Sequence, residues 1–146
     1  MRAARSGAQV TIERLGAWVI KCNPRMTPIA PMLAAGEARP HWCVADNYRT
    51  RLMRPGQRAL FWVSGQPDRG IWGAGHIDGE VWSDGGRLHV PVRIPILAQP
   101  ITAADLAAVP GLAAMEAFRA PQQSNPSWVS DTELALIDRL LRSHPT

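Results

Sequence analysis

The sequence is poor in cysteine, tyrosine and phenylalanine, and Lys21 is its single lysine. Two thiols, Cys22 and Cys43, cannot make a disulfide framework, so a cytoplasmic chain with both reduced is expected. No run of about 18 apolar residues occurs, and no membrane-spanning helix is expected. The N-terminal stretch is basic and lacks an apolar segment, so it does not read as a secretory signal. Residues 1–14 are expected to form a flexible arm ahead of a single domain over 15–146. Internal repeats and low-complexity tracts are lacking. The glycine run Gly70-Ile71-Trp72-Gly73-Ala74-Gly75 has neither the spacing nor the following helix of a dinucleotide fingerprint, and there is no P-loop.

Catalytic patterns are also missing. Cys22, His41, Cys43 and His76 are metal-capable, but paired CxxC spacing is absent. Nothing local activates either thiol as a nucleophile. Asp68, Asp78, Glu80 and Asp84 lie in turn-like polar segments and read as solvated. No cofactor, no metal and no catalytic residue are predicted.

What the sequence does hold is arginine and tryptophan. Fifteen of its sixteen basic residues are Arg, and the net charge is +4. The excess sits in the first 58 residues, which carry ten basic and three acidic side chains. Five arginines lie between Arg39 and Arg58 against one acid, Asp46. Such a patch favours a polyanion, and arginine suits phosphate in particular. Six tryptophans are present. Trp18, Trp62 and Trp72 fall in strand-like segments, and core packing is the simplest reading of them. Trp42 lies in a basic, proline-flanked loop or brief strand over 39–44. Its indole either joins the core or stacks on a base whose phosphates the arginines hold.

The stretch that organises the chain is a hairpin. Ala59–Ser64 is apolar on both faces, as suits a strand covered on both sides. Gly65 to Gly70 has turn composition, and Ile71–Ile77 resumes the strand. Gly73 and Gly75 leave one face bare, which marks a barrel bend or a close backbone approach. A first strand is expected over Gly16–Cys22, and a helix from Thr27-Pro28 to Gly36 with Thr27 as its cap. A short helix capped by Asp46 should run to Met53. Arg87–Leu97 alternates cleanly, its prolines suggesting an edge or bulged strand. Thr102 opens a helix that Pro110 ends. Ser127–Val129 is a short strand, and Ser130–Glu133 a capping box for a final helix. These elements predict an α+β domain, a bent mixed β-barrel of five to six strands with flanking short helices.

The ordered pattern resembles a known family. Ala17–Pro24, a Trp-containing loop, Asn47–Thr50, Pro55–Gly65 and Gly70–Gly75 together look like an EVE domain of the PUA-like superfamily, related to YTH domains. The closing segment, with Glu116–Pro121, Ser124-Asn125-Pro126 and the Ser130–Glu133 cap, is similar too. Gln57 departs from the pattern, which often places an acid there. The resemblance implies a PUA-like barrel that binds, without catalysis, DNA or RNA carrying a modified, methylated base flipped into an aromatic pocket. No membrane partner is expected. Carried over, Lys21, Cys22, Asn23 and Pro24 offer backbone groups to the base edge, and Trp42 is an aromatic wall lined by Cys43 and Val44. Tyr48, Trp62 or another aromatic supplies a second wall, and Ser64 and Gly65 close the far side. Arg39, Asn47, Arg49 and Arg51 form a rim for phosphate. Three alternatives stay open: a PUA-like RNA-binding domain without modification selectivity, an enzymatic or small-molecule use of the cleft through His76 or Cys43, and a protein-interaction domain with Trp42 in a flat exposed patch.

Overall fold

The computed structural model describes residues 9–65 and 69–143. Its frame is a curled mixed sheet. β1 (Leu15–Cys22) lies parallel to β3 (Arg58–Val63), with Cys22 beside Val63. β3 pairs antiparallel with β4 (Gly70–Ile77), and β4 with both β6 (Arg87–Arg93) and β7 (Ile96–Thr102). β2 (His41–Val44) and the short β5 (Trp82–Asp84) both pair with β6, and β8 (Ser127–Ser130) closes the other side against β1. The strand path runs β2-β6-β4-β3-β1-β8.

Strand alternation divides the apolar residues between two cores. Trp18, Ile20, Phe61 and Val63 enter one side with Trp42, Val90 and Val92. Val19, Leu60 and Trp62 enter the other side with Ile101, Leu106, Leu112 and Ile137. Both faces of β3 are therefore covered, as its unbroken apolar run requires. The second core lies under α3 (Ala103–Ala107), α4 (Glu116–Arg119) and α5 (Asp131–Ser143). At the start of α5, Glu133 accepts from Ser130 N at 2.8 Å while Ser130 Oγ accepts from Glu133 N at 3.2 Å, the reciprocal pair of a capping box.

Several expectations need correction. Val10 is buried in the core and its N–H donates to Tyr48 Oη, so residues 9–14 are not a loose arm; residues 1–8 lie outside the described residues, as does the 66–68 stretch of the hairpin turn. The helix over α1 (Ala30–Ala35) does end at Gly36 with φ of 79°, but no side chain caps its start. α2 (Tyr48–Arg51) is capped by Asn47, which accepts from the N–H groups of Arg49 and Thr50, while Asp46 pairs at the surface with Arg51. β6 is flanked by β2 and β4 and so is not an edge; the predicted Arg87–Leu97 strand breaks at Ile94-Pro95.

The bare face of β4 is filled by backbone. A methyl group at Gly73 would meet Pro95 O at 2.8 Å, and one at Gly75 would collide with Arg93 O and Ile94 Cα. The chain linking β6 to β7 thus crosses directly over these glycines. Between them and the turn, the β3–β4 register shifts: Phe61 faces Gly73 and Trp62 faces Ile71, leaving Trp72 as the extra residue. Such a bulge re-aims a side chain.

Arg49 and Glu116 form a buried two-pronged ion pair, both N···O distances 2.7 Å, and Ser127 Oγ donates to the same carboxylate at 2.6 Å. Burial alone would raise the Glu116 pKa. The hydrogen bonds from Arg49 and Ser127 and the guanidinium charge outweigh it and hold the carboxyl below its ordinary value. Its contribution to stability is thus present above pH 4.5 and is lost as pH falls through the lower folded-state value. Glu116→Gln should cost about 3 kcal/mol in denaturant unfolding at pH 7 and flatten the acid limb of the stability curve. A loss below about 1 kcal/mol, with the acid limb intact, would remove the pair from this role.

Candidate nucleic-acid interface

β1 and β3 end side by side, and the chain turns away from both. Ser64 N and Ser64 Oγ each donate to Cys22 O, at 2.9 and 3.1 Å, and tie the two departing segments together. Two clefts open at this point, and Asn23 lines both.

The larger cleft, about 530 Å³, is walled by Pro24, Ile29, Val63 and Trp72, with Ser64, Gly65, Asn23 and Arg25 supplying polar edges. The β4 bulge explains how Trp72 reaches it from a strand otherwise committed to the sheet. Gly65 sits at φ of 98°, a left-handed turn conformation that brings the chain round toward Pro24 without a side chain in the opening.

The smaller cleft, about 330 Å³, has a different character. Lys21, Arg39, His41 and His89 line it with Cys22, Thr27, Trp42, Cys43 and Asn125. Lys21 is half-buried and donates to Pro121 O at 3.1 Å; burial lowers its pKa despite the opposing field of Glu116. Asn125 holds this wall against β1 by accepting from Lys21 N at 2.8 Å and donating to Lys21 O at 3.1 Å. Burial pushes the Cys22 thiol up to about 11, so it is a poor nucleophile. Cys43 faces solvent on the outer side of β2.

The predicted residues are therefore split. Lys21, Cys22, Arg39, Trp42 and Cys43 line the smaller cleft, Pro24, Ser64 and Gly65 the larger, and Asn23 joins them. Trp42 lies on a strand and not in a loop. It is 8% exposed, packs 5.5 Å from the Phe61 ring and lies under the Arg39 guanidinium, also at 5.5 Å, with its Nε1 donating to Arg39 O. It borders an opening, yet its indole belongs mainly to the core.

Other placements differ from expectation. Trp62 points into the opposite core against Phe118 and cannot be a second wall. Val44 is buried and borders a separate depression with Arg87 and Leu88. Tyr48 lines neither cleft and accepts from Val10 N. Arg49 is buried on Glu116 and cannot serve a phosphate rim; Asn47 is engaged as a helix cap, and Arg51 pairs with Asp46 away from both clefts. His76 lies beside Asp78, outside the clefts. Sequence reasoning missed Trp72, Ile29, His41, His89 and Asn125. Gln57 has a structural reason: its Oε1 accepts from Trp18 Nε1 and Arg54 N, both at 2.7 Å, while its Nε2 donates to Leu52 O, a bond a carboxylate could not make.

No family model matches the chain, and no curated protein sequence matches it. Solved structures do. A hypothetical protein from Leishmania major superposes with a TM-score of 0.70 at 20% identity, over 91% of this chain and 98% of its own. A protein from Rhodopseudomonas palustris gives 0.68 at 23% identity, over 90% and 97%. Human THYN1, in complex with DNA containing 5-methylcytosine, gives 0.56 at 20% identity, over 83% and 95%. The shared architecture is a PUA-like α+β fold.

Because Trp42 is a core residue at the edge of an opening, Trp42→Ala should cost about 3 kcal/mol of stability by thermal or denaturant unfolding. A melting temperature within a degree or two of the parent would mean that the indole is held mainly for a ligand.

Proposed function

We propose that this chain is a non-enzymatic reader of the EVE type, which binds nucleic acid through a modified base flipped into the cleft beside Trp72. One observation carries the reading: the two clefts that meet at Asn23 differ in chemistry in the way one nucleotide differs along its length. The larger is apolar, edged by an indole and a few polar groups, as a planar heterocycle requires. The smaller is lined by Lys21, Arg39 and two histidines, which suits the phosphate backbone. The fold likeness to human THYN1, seen in complex with DNA containing 5-methylcytosine, supports a modified base as the ligand and makes that base the first probe. The resemblance of the sequence to EVE domains points the same way.

Flipping a base costs a few kcal/mol, and stacking returns about 1–3 kcal/mol. Burial of one methyl group adds only about 1 kcal/mol. Selectivity for a modification therefore rests on the fit of the Trp72 cleft and on hydrogen bonds to the Asn23 side chain and the Ser64 hydroxyl oxygen, with the methyl as a tiebreaker. The thiol of Cys22, held protonated, offers no nucleophile in this setting.

Titration of the pure protein against short single strands that differ by one 5-methylcytosine, at several salt concentrations, tests the reading. The methylated strand should bind several-fold tighter, and Trp72→Ala should remove that preference. Arg39→Ala should weaken both strands equally and reduce the salt slope by about one. Equal binding of the two strands, unaffected by Trp72→Ala, would leave a PUA-like nucleic-acid binder without modification selectivity.

A further inference from the structure

At the mouth of the basic cleft, three rings meet on β2, β5 and β6. Trp82 and His89 are cross-strand partners, with centroids 5.3 Å apart and planes 19° from parallel. His41 stands edge-on to both, 5.2 Å from Trp82 and 5.3 Å from His89. Offset stacking and edge-to-face contact are the favoured aromatic geometries, so each ring restrains the other two. Trp82 is nevertheless 38% exposed, on a three-residue strand whose residues are all exposed. A tryptophan stacked on one imidazole, edge-on to another and still well exposed has its contact orientation fixed in advance.

We propose that this ring cluster is a stacking platform for an unstacked nucleobase, that of the nucleotide next to the one in the Trp72 cleft; it rests on the reading of that cleft as the base site. Continuity supports this occupant. Asn23 joins the base cleft to the basic cleft, and His41 and His89 both line the basic cleft and build the platform. A strand with its flipped base beside Trp72 and its phosphate at Lys21 and Arg39 is led onto Trp82. Charge agrees. Arg87 lies beside the platform, its guanidinium 3.9 Å from Cys43 Sγ, and Cys43 Sγ is 3.8 Å from His89 Nδ1. Asp84 is the acid nearest in register, opposite Arg87. The rings against Trp82 are two imidazoles, and Arg87 lies two residues from His89 on β6, a surround that suits a base and its phosphate.

The test is a set of titrations with 5-methyl-dCMP, with a trinucleotide carrying 5-methylcytosine at its centre, and with the same trinucleotide made abasic at each neighbour in turn. Trp82→Ala should leave 5-methyl-dCMP affinity unchanged and weaken the trinucleotide by about tenfold, a single stacking interaction. Trp82→Phe should restore most of the loss. One abasic neighbour should weaken the parent protein by a similar factor and leave Trp82→Ala no weaker still. An unmodified trinucleotide separates the two readings. If the modification preference fails, its affinity still falls in Trp82→Ala; if the platform fails, the preference survives and Trp82→Ala changes nothing. Equal losses for mononucleotide and trinucleotide, or altered self-association with trinucleotide affinity intact, would overturn the proposal.

Discussion

The parallel pairing of β1 with β3 sets the site. Within an otherwise antiparallel sheet, these two strands run the same way and end together at Cys22 and Val63. Chains leaving two parallel strands at one end must diverge, and the gap between them is the shared origin of both clefts. Ser64 bonded twice to Cys22 O keeps that end from fraying. Buried strands on either side make the floor rigid, because Trp18, Phe61 and Leu60 are fully enclosed and admit little movement.

Two further devices shape the openings. The β4 bulge shifts the register at Trp72 and turns its side chain toward the apolar cleft. The Arg49–Glu116–Ser127 cluster ties α2, α4 and β8 together, and Asn125, two residues before Ser127, carries that restraint to Lys21. Removing one partner of a buried ion pair leaves an uncompensated charge, so the elements that share the pair are held to one another. Here the elements it fixes are those behind the basic cleft.

Much of this was legible in the sequence, for identifiable reasons. β3 and the capping box of α5 follow from local rules, an unbroken apolar run and a Ser-x-x-Glu spacing, and both stand in the structure. The bare face of β4 was readable as a close approach, although the crossing partner, Arg93 to Pro95, was not. What failed was assignment by charge. Arg49 lies in the most basic stretch of the chain, yet its carboxylate partner is 67 residues away and invisible to local composition. Trp62 was misplaced because a strand covered on both faces gives no alternation from which to choose a side. Trp72 was missed as a wall because a bulge leaves no mark in a pattern of single residues. His41 and His89 come together only through the β2–β6 pairing.

A map of backbone and indole NMR shifts on titration with a short single strand carrying 5-methylcytosine shows whether a base enters the cleft beside Trp72. The predicted result is a set of changes centred on Asn23, Ser64, Gly65 and the Trp72 indole, fading across Lys21 and Arg39. Changes confined to the surface of α5, with Asn23 and Trp72 unmoved, would contradict the account.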